Sequence, residues 1–172
     1  MESSFQACPG CGAVTSLVAG PAHRYMGASP GCWARFGEVL AREYSDPAYA
    51  GVHRITVDAY AAQHPGKPSP RSIQSVAVHL LGLYWALEKQ LPLAEVTQRI
   101  GRAVRAGKHY GHFRWLEPPF PLGAVTVFDV AEAQSPQTHA VLVKKWAHVV
   151  WLAWAPHHNQ IRNWAAVSEA WK

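Results

Sequence analysis

The sequence predicts a mainly helical fold, organised as one domain of residues 1–172 with an N-terminal metal-binding arm. Three observations support this prediction. Apolar residues recur at helical spacing through most of the chain after residue 33. The first 31 residues are rich in glycine, proline and serine, and three cysteines lie in or next to that segment. We therefore expect a loop-built zinc-binding arm over residues 1–32 and a body of packed helices over residues 33–172.

The cysteines define the predicted arm. Residues 8–12 read Cys-Pro-Gly-Cys-Gly, and a C-x-x-C loop places two thiolates on one side of a tight turn, as a tetrahedral ion requires. The glycines allow the backbone to curl around the sulfurs. Cys8, Cys11 and Cys32 supply the three sulfurs, and His23 is the predicted fourth ligand. This Cys₃His set is typical of a structural zinc site.

Alternatives to this ligand set remain open at the level of the sequence. His53, His64 and His79 are rival fourth ligands, and each of them would attach the arm directly to the helical body. A redox pair or inert thiols would also explain the cysteines. However, a redox C-x-x-C more often follows a strand and begins a helix, and no strand is expected before Cys8.

Helical periodicity then accounts for the first half of the body. Residues 33–44 place their apolar side chains on one helical face, and a second helix is expected over residues 47–63, before a His-Pro-Gly stop. The clearest helix spans residues 70–90, with Ser69 as its N-cap. On another face, His79 lies in line with the small residues Ser72, Ser75, Gly82 and Ala86. Such a face either lets a neighbouring helix approach closely or forms the floor of a pocket.

The second half of the body is predicted with less regular spacing. A helix over residues 92–106 should end at Gly107, and residues 107–125, with several prolines and glycines, should be irregular. Residues 126–129 combine β-propensity with a capping pattern, and we favour a short helix there. A long helix is expected over residues 136–155, and a final helix should run from Pro156 to Trp171.

Composition and charge limit the functional classes. Of the 172 residues 49% are hydrophobic and 16% are charged, which excludes a disordered chain. No apolar stretch approaches the roughly 20 residues of a membrane span. Residues 1–5 lack a basic leader and an apolar segment, which predicts a cytoplasmic protein. The net charge of +5 permits an anionic partner without requiring one, and the oligomeric state stays open.

Several segments together resemble a family of uncharacterised bacterial proteins catalogued as a domain of unknown function. The segments that carry the resemblance are residues 8–12, 23–25, 29–33, 57–60, 63–66, 75–80, 146–147, 151–154 and 157–158. The resemblance covers nearly the whole chain and is weakest over residues 90–112. It implies a bacterial, cytoplasmic protein of one domain, and it implies no particular activity.

A second group of polar residues is a candidate for chemistry. The candidate catalytic residues are Asp58, His64, His79, His157 and His158. If the histidines converge, Asp58 could orient an imidazole for acid–base work or for a second metal, in a pocket walled by the C-terminal tryptophans. The alternatives are structural: Asp58 could pair with Arg54 or Arg71, the histidines could be buried and hydrogen-bonded, and the tryptophans could form core.

A basic stretch supports a second functional class. Residues 99–114 carry five arginines and lysines and no acidic residue, and Tyr110, Phe113 and Trp115 are interleaved towards the end of this stretch. Cations for phosphates and rings for stacking are the chemistry of single-stranded nucleic-acid binding. A solvated helix face explains the same residues. The main hypothesis is therefore a zinc-binding helical protein that binds or transforms a small molecule, and the alternative is a regulatory or nucleic-acid-binding module.

Overall fold

The structure is a computed structural model that describes residues 4–170, apart from the side chains of His109 and Tyr110. Within this range eight α-helices form most of the molecule, and one two-stranded antiparallel sheet lies near the N-terminus. The prediction of a mainly helical fold is confirmed. The organisation as one domain stays a prediction. No helix in the described range is long and apolar enough to cross a membrane.

The arm contains a short hairpin that the sequence analysis did not predict. Strand β1 (Phe5–Ala7) pairs antiparallel with β2 (Val14–Ser16), so that Ala7 lies opposite Val14. The expectation that no strand precedes Cys8 is therefore wrong. Strands of three residues are too short to leave a recognisable alternation of apolar and polar residues.

The first helices agree with the expected positions, with one break. Helix α1 (Pro30–Ser45) contains the predicted helix over residues 33–44, and the Cys32 N–H donates to Ser29 Oγ at its N-terminus. The single helix predicted over residues 47–63 is instead two helices, α2 (Pro47–Ala50) and α3 (His53–Gln63). Gly51 lies at the break, where its low helix propensity favours an interruption.

The central helices follow the predicted pattern and extend it. Helix α4 (Pro70–Leu83) is capped by Ser69 and continues as a π-helical turn (Tyr84–Glu88). Helix α5 (Leu93–Tyr110) passes the predicted end at Gly107 and ends before Gly111, whose φ of 55° suits glycine. Gly107 lies inside the helix, and the absence of a side chain there makes room for the Phe113 ring, which is 2.6 Å from where a Cβ would be.

The C-terminal elements confirm the short helix and the long one. Helix α6 (Val127–Ala131) begins with a capping box between Thr126 and Asp129, so the capping pattern outweighed the β-propensity there. Helix α7 (Pro136–Ala153) follows. A single 3₁₀ turn (Ala155–His157) precedes α8 (His158–Ala170), and Trp171, the predicted end of the last helix, lies outside the described residues.

Tryptophans fill the core. This agrees with the prediction that they form core rather than the wall of a ligand pocket. The buried ones are Trp85, Trp146, Trp151, Trp154 and Trp164. Trp146 Nε1 donates to Gln63 Oε1 at 2.8 Å, and the Gln63 amide in turn donates to Leu122 O and Val125 O. Buried Gln63 thereby joins α3, α7 and the irregular segment before α6, and this fixes the end of α3 where the candidate site lies.

Candidate metal centre

The turn of the hairpin presents two cysteines. The Cys8 N–H donates to Ala13 O and the Gly12 N–H donates to Cys8 O, both at 2.9 Å, and Gly12 has a φ of 75°. The positive φ is easily adopted by glycine only, which explains the glycine after the C-x-x-C. The Ser29 N–H points at Cys8 Sγ at a distance of 3.4 Å, so a backbone donor supports this sulfur.

The third cysteine lies in the first turn of α1. Cys32 is completely buried, and its Sγ is 3.8 Å from Cys11 Sγ. The Tyr60 hydroxyl donates to Cys32 Sγ at 3.7 Å. Burial and the nearby sulfurs raise the pKa of Tyr60, which keeps its hydroxyl a donor. Helix α1 thus brings one sulfur to the two in the hairpin turn.

The fourth member of the group is His64, which follows the last residue of α3. Its Nε2 is 3.3 Å from Cys32 Sγ, and its Nδ1–H donates to Tyr60 O at 2.7 Å. Because a carbonyl can only accept, Nδ1 carries the proton and the Nε2 lone pair points toward the sulfurs. A carbonyl that orients a histidine in this way is typical of metal sites.

The four side chains form a compact group. The ligand atoms of Cys8, Cys11, Cys32 and His64 all lie within 4.8 Å of one another. Two thiolates bound at about 2.3 Å to one tetrahedral zinc would be about 3.8 Å apart, and a thiolate and an imidazole nitrogen about 3.6 Å. The observed separations of 3.8 Å and 3.3 Å are close to these values. The group can therefore hold one metal ion.

The electrostatics of the group also favour a cation. The pKa of Cys8 lies far below its usual range because Cys11 and Cys32 donate hydrogen bonds to its sulfur. A hydrogen bond from Cys32 lowers the pKa of Cys11, but donation to Cys8 and burial outweigh it and raise this pKa to about 11. Hydrogen bonding to Cys11 and Cys8 raises the pKa of Cys32. Hydrogen bonding within the group thus favours the thiolate at Cys8, and a bound cation would release the protons of the other thiols.

The predicted fourth ligand and two of its rivals lie outside this group. His23 Nδ1 accepts from the N–H groups of Tyr25 and Met26, and its ring lies against Trp33. His53 Nδ1 contacts Glu43 at 2.8 Å, and His79 Nδ1 contacts Asp58 at 2.7 Å. The geometry thus favours His64, the rival that ends α3, over His23.

The predicted convergence of histidines around Asp58 does not form. His64 joins the cysteines, whereas Asp58 binds Arg54 and His79. His157 Nε2 donates to Glu117 O at 2.8 Å, and His158 Nε2 donates to Trp151 O at 2.9 Å. Only Asp58 and His79 are brought together. The pairing of Asp58 with Arg54, which the sequence left open, is confirmed.

The basic stretch is partly neutralised by acidic residues. Arg99 forms ion pairs with Glu95 at 2.7 Å and with Glu169 at 2.5 Å. Arg102 lies beside the same site, close to Trp85 and Glu169. Of the three arginines in the stripe over residues 99–105, Arg99 is thus less available to phosphates, whereas Arg102 and Arg105 form no ion pair within the described residues.

A buried polar network at the other end of α1 was missed. The side chain of Glu43 is fully buried and accepts from Thr56 Oγ1 at 2.5 Å, His139 Nε2 at 2.8 Å and His53 Nδ1 at 2.8 Å. The sequence does indicate that Glu43 is buried, because it continues the apolar face of α1 that begins with Phe36. A charged residue on such a face is rarely buried without partners.

The fold and the site define a class of protein: a mainly helical chain with an N-terminal Cys₃His group that can hold a metal ion. Residues 6–155 match the model of DUF5946, a family of unknown function, and the chain belongs to that family. The resemblance seen in the sequence is thereby confirmed. No curated protein and no solved structure matches the chain.

Proposed function

We propose that this protein holds one structural zinc ion through Cys8, Cys11, Cys32 and His64, and that the ion fastens the arm to the helical body. The observation that carries the proposal is the set of four ligand atoms within 4.8 Å of one another. Three elements supply them: the hairpin turn, the start of α1 and the end of α3. A single ion therefore cross-links segments that are distant in sequence.

The donor set supports zinc and a structural role. Thiolate and imidazole ligands in a tetrahedral arrangement are typical of Zn²⁺, whereas hard cations prefer oxygen. Four protein ligands leave no position for a water or a substrate, as in structural zinc sites. Cys8 and His64 are only 2% and 0% exposed, which further separates the ion from solvent. A reducing compartment such as the cytoplasm would keep the thiols available.

The proposal is tested by measuring metal in protein purified without added zinc. We expect about one zinc per chain by mass spectrometry of the native protein. Replacement of the metal by Co²⁺ should give the visible absorption of a tetrahedral ion, with charge-transfer bands from three thiolates. A zinc content near zero in the wild-type protein, with reduced thiols, would refute the proposal.

Two histidine variants identify the fourth ligand. His64→Ala should lose the tetrahedral Co²⁺ spectrum or shift it, because an imidazole nitrogen is removed. His23→Ala is the matched control, since His23 lies in the arm but contacts backbone N–H groups. An unchanged spectrum in His64→Ala together with a changed one in His23→Ala would restore the ligand set predicted from the sequence.

The alternative function, nucleic-acid binding by residues 99–114 and the arm, gains less support. Arg99 is engaged by Glu95 and Glu169, which leaves fewer cations for phosphates. Salt-sensitive binding of a single-stranded oligonucleotide would support this alternative. No binding at low salt would remove it.

A further inference from the structure

Asp58 and His79 form a pair apart from the metal group, on the facing sides of α3 and α4. Asp58 Oδ1 accepts from His79 Nδ1 at 2.7 Å. Arg54, one turn earlier on α3, donates from Nε to Asp58 Oδ2 at 3.1 Å and from Nη2 to Oδ1. The side chain of Asp58 is 1% exposed, so the carboxylate is held rigidly and its charge is balanced by the guanidinium.

This arrangement fixes the tautomer of His79. An ionised carboxylate can only accept, so the proton lies on Nδ1 and Nε2 keeps its lone pair. Among residues 4–170, leaving aside the side chains of His109 and Tyr110, Nε2 has no hydrogen-bonding partner, and the His79 ring lines a hollow on the surface. Because Asp58 orients the His79 ring through Nδ1, the opposite nitrogen, Nε2, is suited to contact a ligand.

The hollow lies where the arm meets α4. Its volume is about 240 Å³, and Tyr25 of the arm faces Arg71, Ser75 and His79 across it. A second hollow of about 320 Å³ also has Tyr25 in its lining, together with Arg24 and residues 66–69, which include Lys67. We call the two hollows together the arm–α4 cleft. Its size suits a small molecule.

The charge of the arm–α4 cleft is one-sided. Arg24, Lys67 and Arg71 line it, and no aspartate or glutamate does. In the part of the chain that the structure describes, none of these three cations forms an ion pair. Arg54, Arg99 and Arg162 have carboxylate partners, whereas Arg102 and Arg105, like the cleft cations, form no ion pair within the described residues. Arg71 shares the first hollow with His79, whereas Arg24 and Lys67 line the second, and unpaired cations along the cleft attract an anion.

We propose that the arm–α4 cleft binds a small oxyanionic ligand, with His79 Nε2 and the Arg71 guanidinium as its main contacts. Neutral His79 accepts a hydrogen bond from a protonated oxygen of the ligand, and protonated His79 donates one. Arg71 offers the planar fork of donors that matches phosphate and carboxylate groups. Asp58 acts as a positioning residue, because it holds the ring without touching the ligand.

The test is a titration of ¹⁵N-labelled, metal-containing protein with inorganic phosphate, and in a parallel arm with acetate, followed by NMR. We expect saturable shifts of His79 Nε2 and of the amides of residues 24–25, 67 and 71. Arg71→Gln should weaken binding about tenfold, because a charge-assisted hydrogen bond is lost. Arg71 is exposed, so this variant should fold. Phosphate alone, acetate alone or both would show which oxyanion the cleft accepts.

Arg105→Gln is the matched control, since it removes an exposed arginine that lines neither hollow. Its affinity for phosphate should equal that of the wild-type protein. His79→Gln should lose affinity as Arg71→Gln does. Equal affinities in the Arg71 and Arg105 variants, or shifts that grow linearly and spread over all basic surfaces, would overturn the proposal. The phosphate affinities and the NMR shifts of all variants are compared at the same metal content, so the comparison does not depend on which ion is bound.

Discussion

Glycine at a single position lets a carboxylate of one helix approach another. Gly82 lies on the side of α4 that faces α3, and a Cβ there would be 2.3 Å from Asp58 Oδ2. The sequence left two roles open for the line of small residues on α4, which were close approach of a neighbouring helix and the floor of a pocket. The structure shows both. Gly82 admits Asp58, and Ser75 on the same line borders the arm–α4 cleft.

Gly82→Ala should therefore destabilise the protein by about 1–3 kcal/mol, because the buried, paired Asp58 cannot move away without breaking its contacts. The free energy of unfolding in urea measures the effect. Gly37→Ala is the control, since Gly37 lies within α1 and a Cβ there meets nothing within 4 Å. That change should stabilise the helix by about 0.5–1 kcal/mol. Similar effects of the two substitutions would contradict the close approach.

Buried Glu43 also depends on its neighbours, because three side chains donate hydrogen bonds to its carboxylate. Glu43→Gln replaces one acceptor oxygen by an amide that donates, so at least one of Thr56, His53 and His139 loses its partner. We expect a loss of about 2–4 kcal/mol in the free energy of unfolding.

The exposed pair of Glu38 with Arg35 on the same helix provides the comparison for Glu43. Glu38→Gln should change stability by less than about 0.5 kcal/mol, because solvent screens such pairs. If Glu43→Gln were as mild as Glu38→Gln, the buried network would contribute little to stability.

The proposed fourth ligand, His64, could not be identified from local sequence alone. The C-x-x-C and Cys32 are apparent from local spacing, and all three sulfurs come together in the structure. His64 could be named only as a rival of His23, because nothing local indicates which distant helix ends beside the arm. Its position depends on Gln63 and on the packing of α3, which are properties of the fold.

At the scale of elements, the arm is fitted to the end of α3 by close backbone contacts. Gly27 N–H donates to His64 O at 3.1 Å. Gly66 has a φ of 71°, and a Cβ there would be 2.1 Å from Tyr25 O. Helix positions were predictable from periodicity and caps, whereas this fit was not, since it joins residues about 40 apart through backbone shape alone.

Gly10 in the hairpin turn tests this fit. A Cβ at Gly10 would be 2.4 Å from His64 Cδ2 and 2.7 Å from Gly27 O, so Gly10→Ala should push the turn away from His64. We expect zinc affinity to fall by about tenfold to a hundredfold, as for changes that disturb the support of a metal ligand. Competition with a chromophoric chelator measures the affinity.

Gly20→Ala is the control for Gly10→Ala within the same arm. A Cβ at Gly20 would meet only Pro30 Cβ, at the ordinary distance of 3.9 Å. Its zinc affinity should therefore match the wild-type value. An equal loss in both variants would show that the arm is sensitive to any added methyl group rather than to the contact with His64.

Across the whole chain, we expect the hydrophobic core and the proposed zinc ion to stabilise different parts. Trp146 and Trp154 are completely buried in the helical body. In the arm itself, Phe5, Val14 and Leu17 are exposed, so burial contributes little there. The proposed ion would thus add a link between a weakly packed segment and a well-packed one, beside the backbone contact of Gly27 with His64.

Removal of the metal by a chelator should accordingly loosen the arm before the body. In hydrogen exchange, the amides of residues 5–17 should lose protection, while those of Pro136–Ala153 in α7 keep it. Lowering the pH should have the same effect, because bound metal replaces the proton of Cys11, whose pKa is otherwise raised to about 11, and protons compete with the ion increasingly as pH falls. Simultaneous loss of protection in both regions would show instead that the ion stabilises the entire fold.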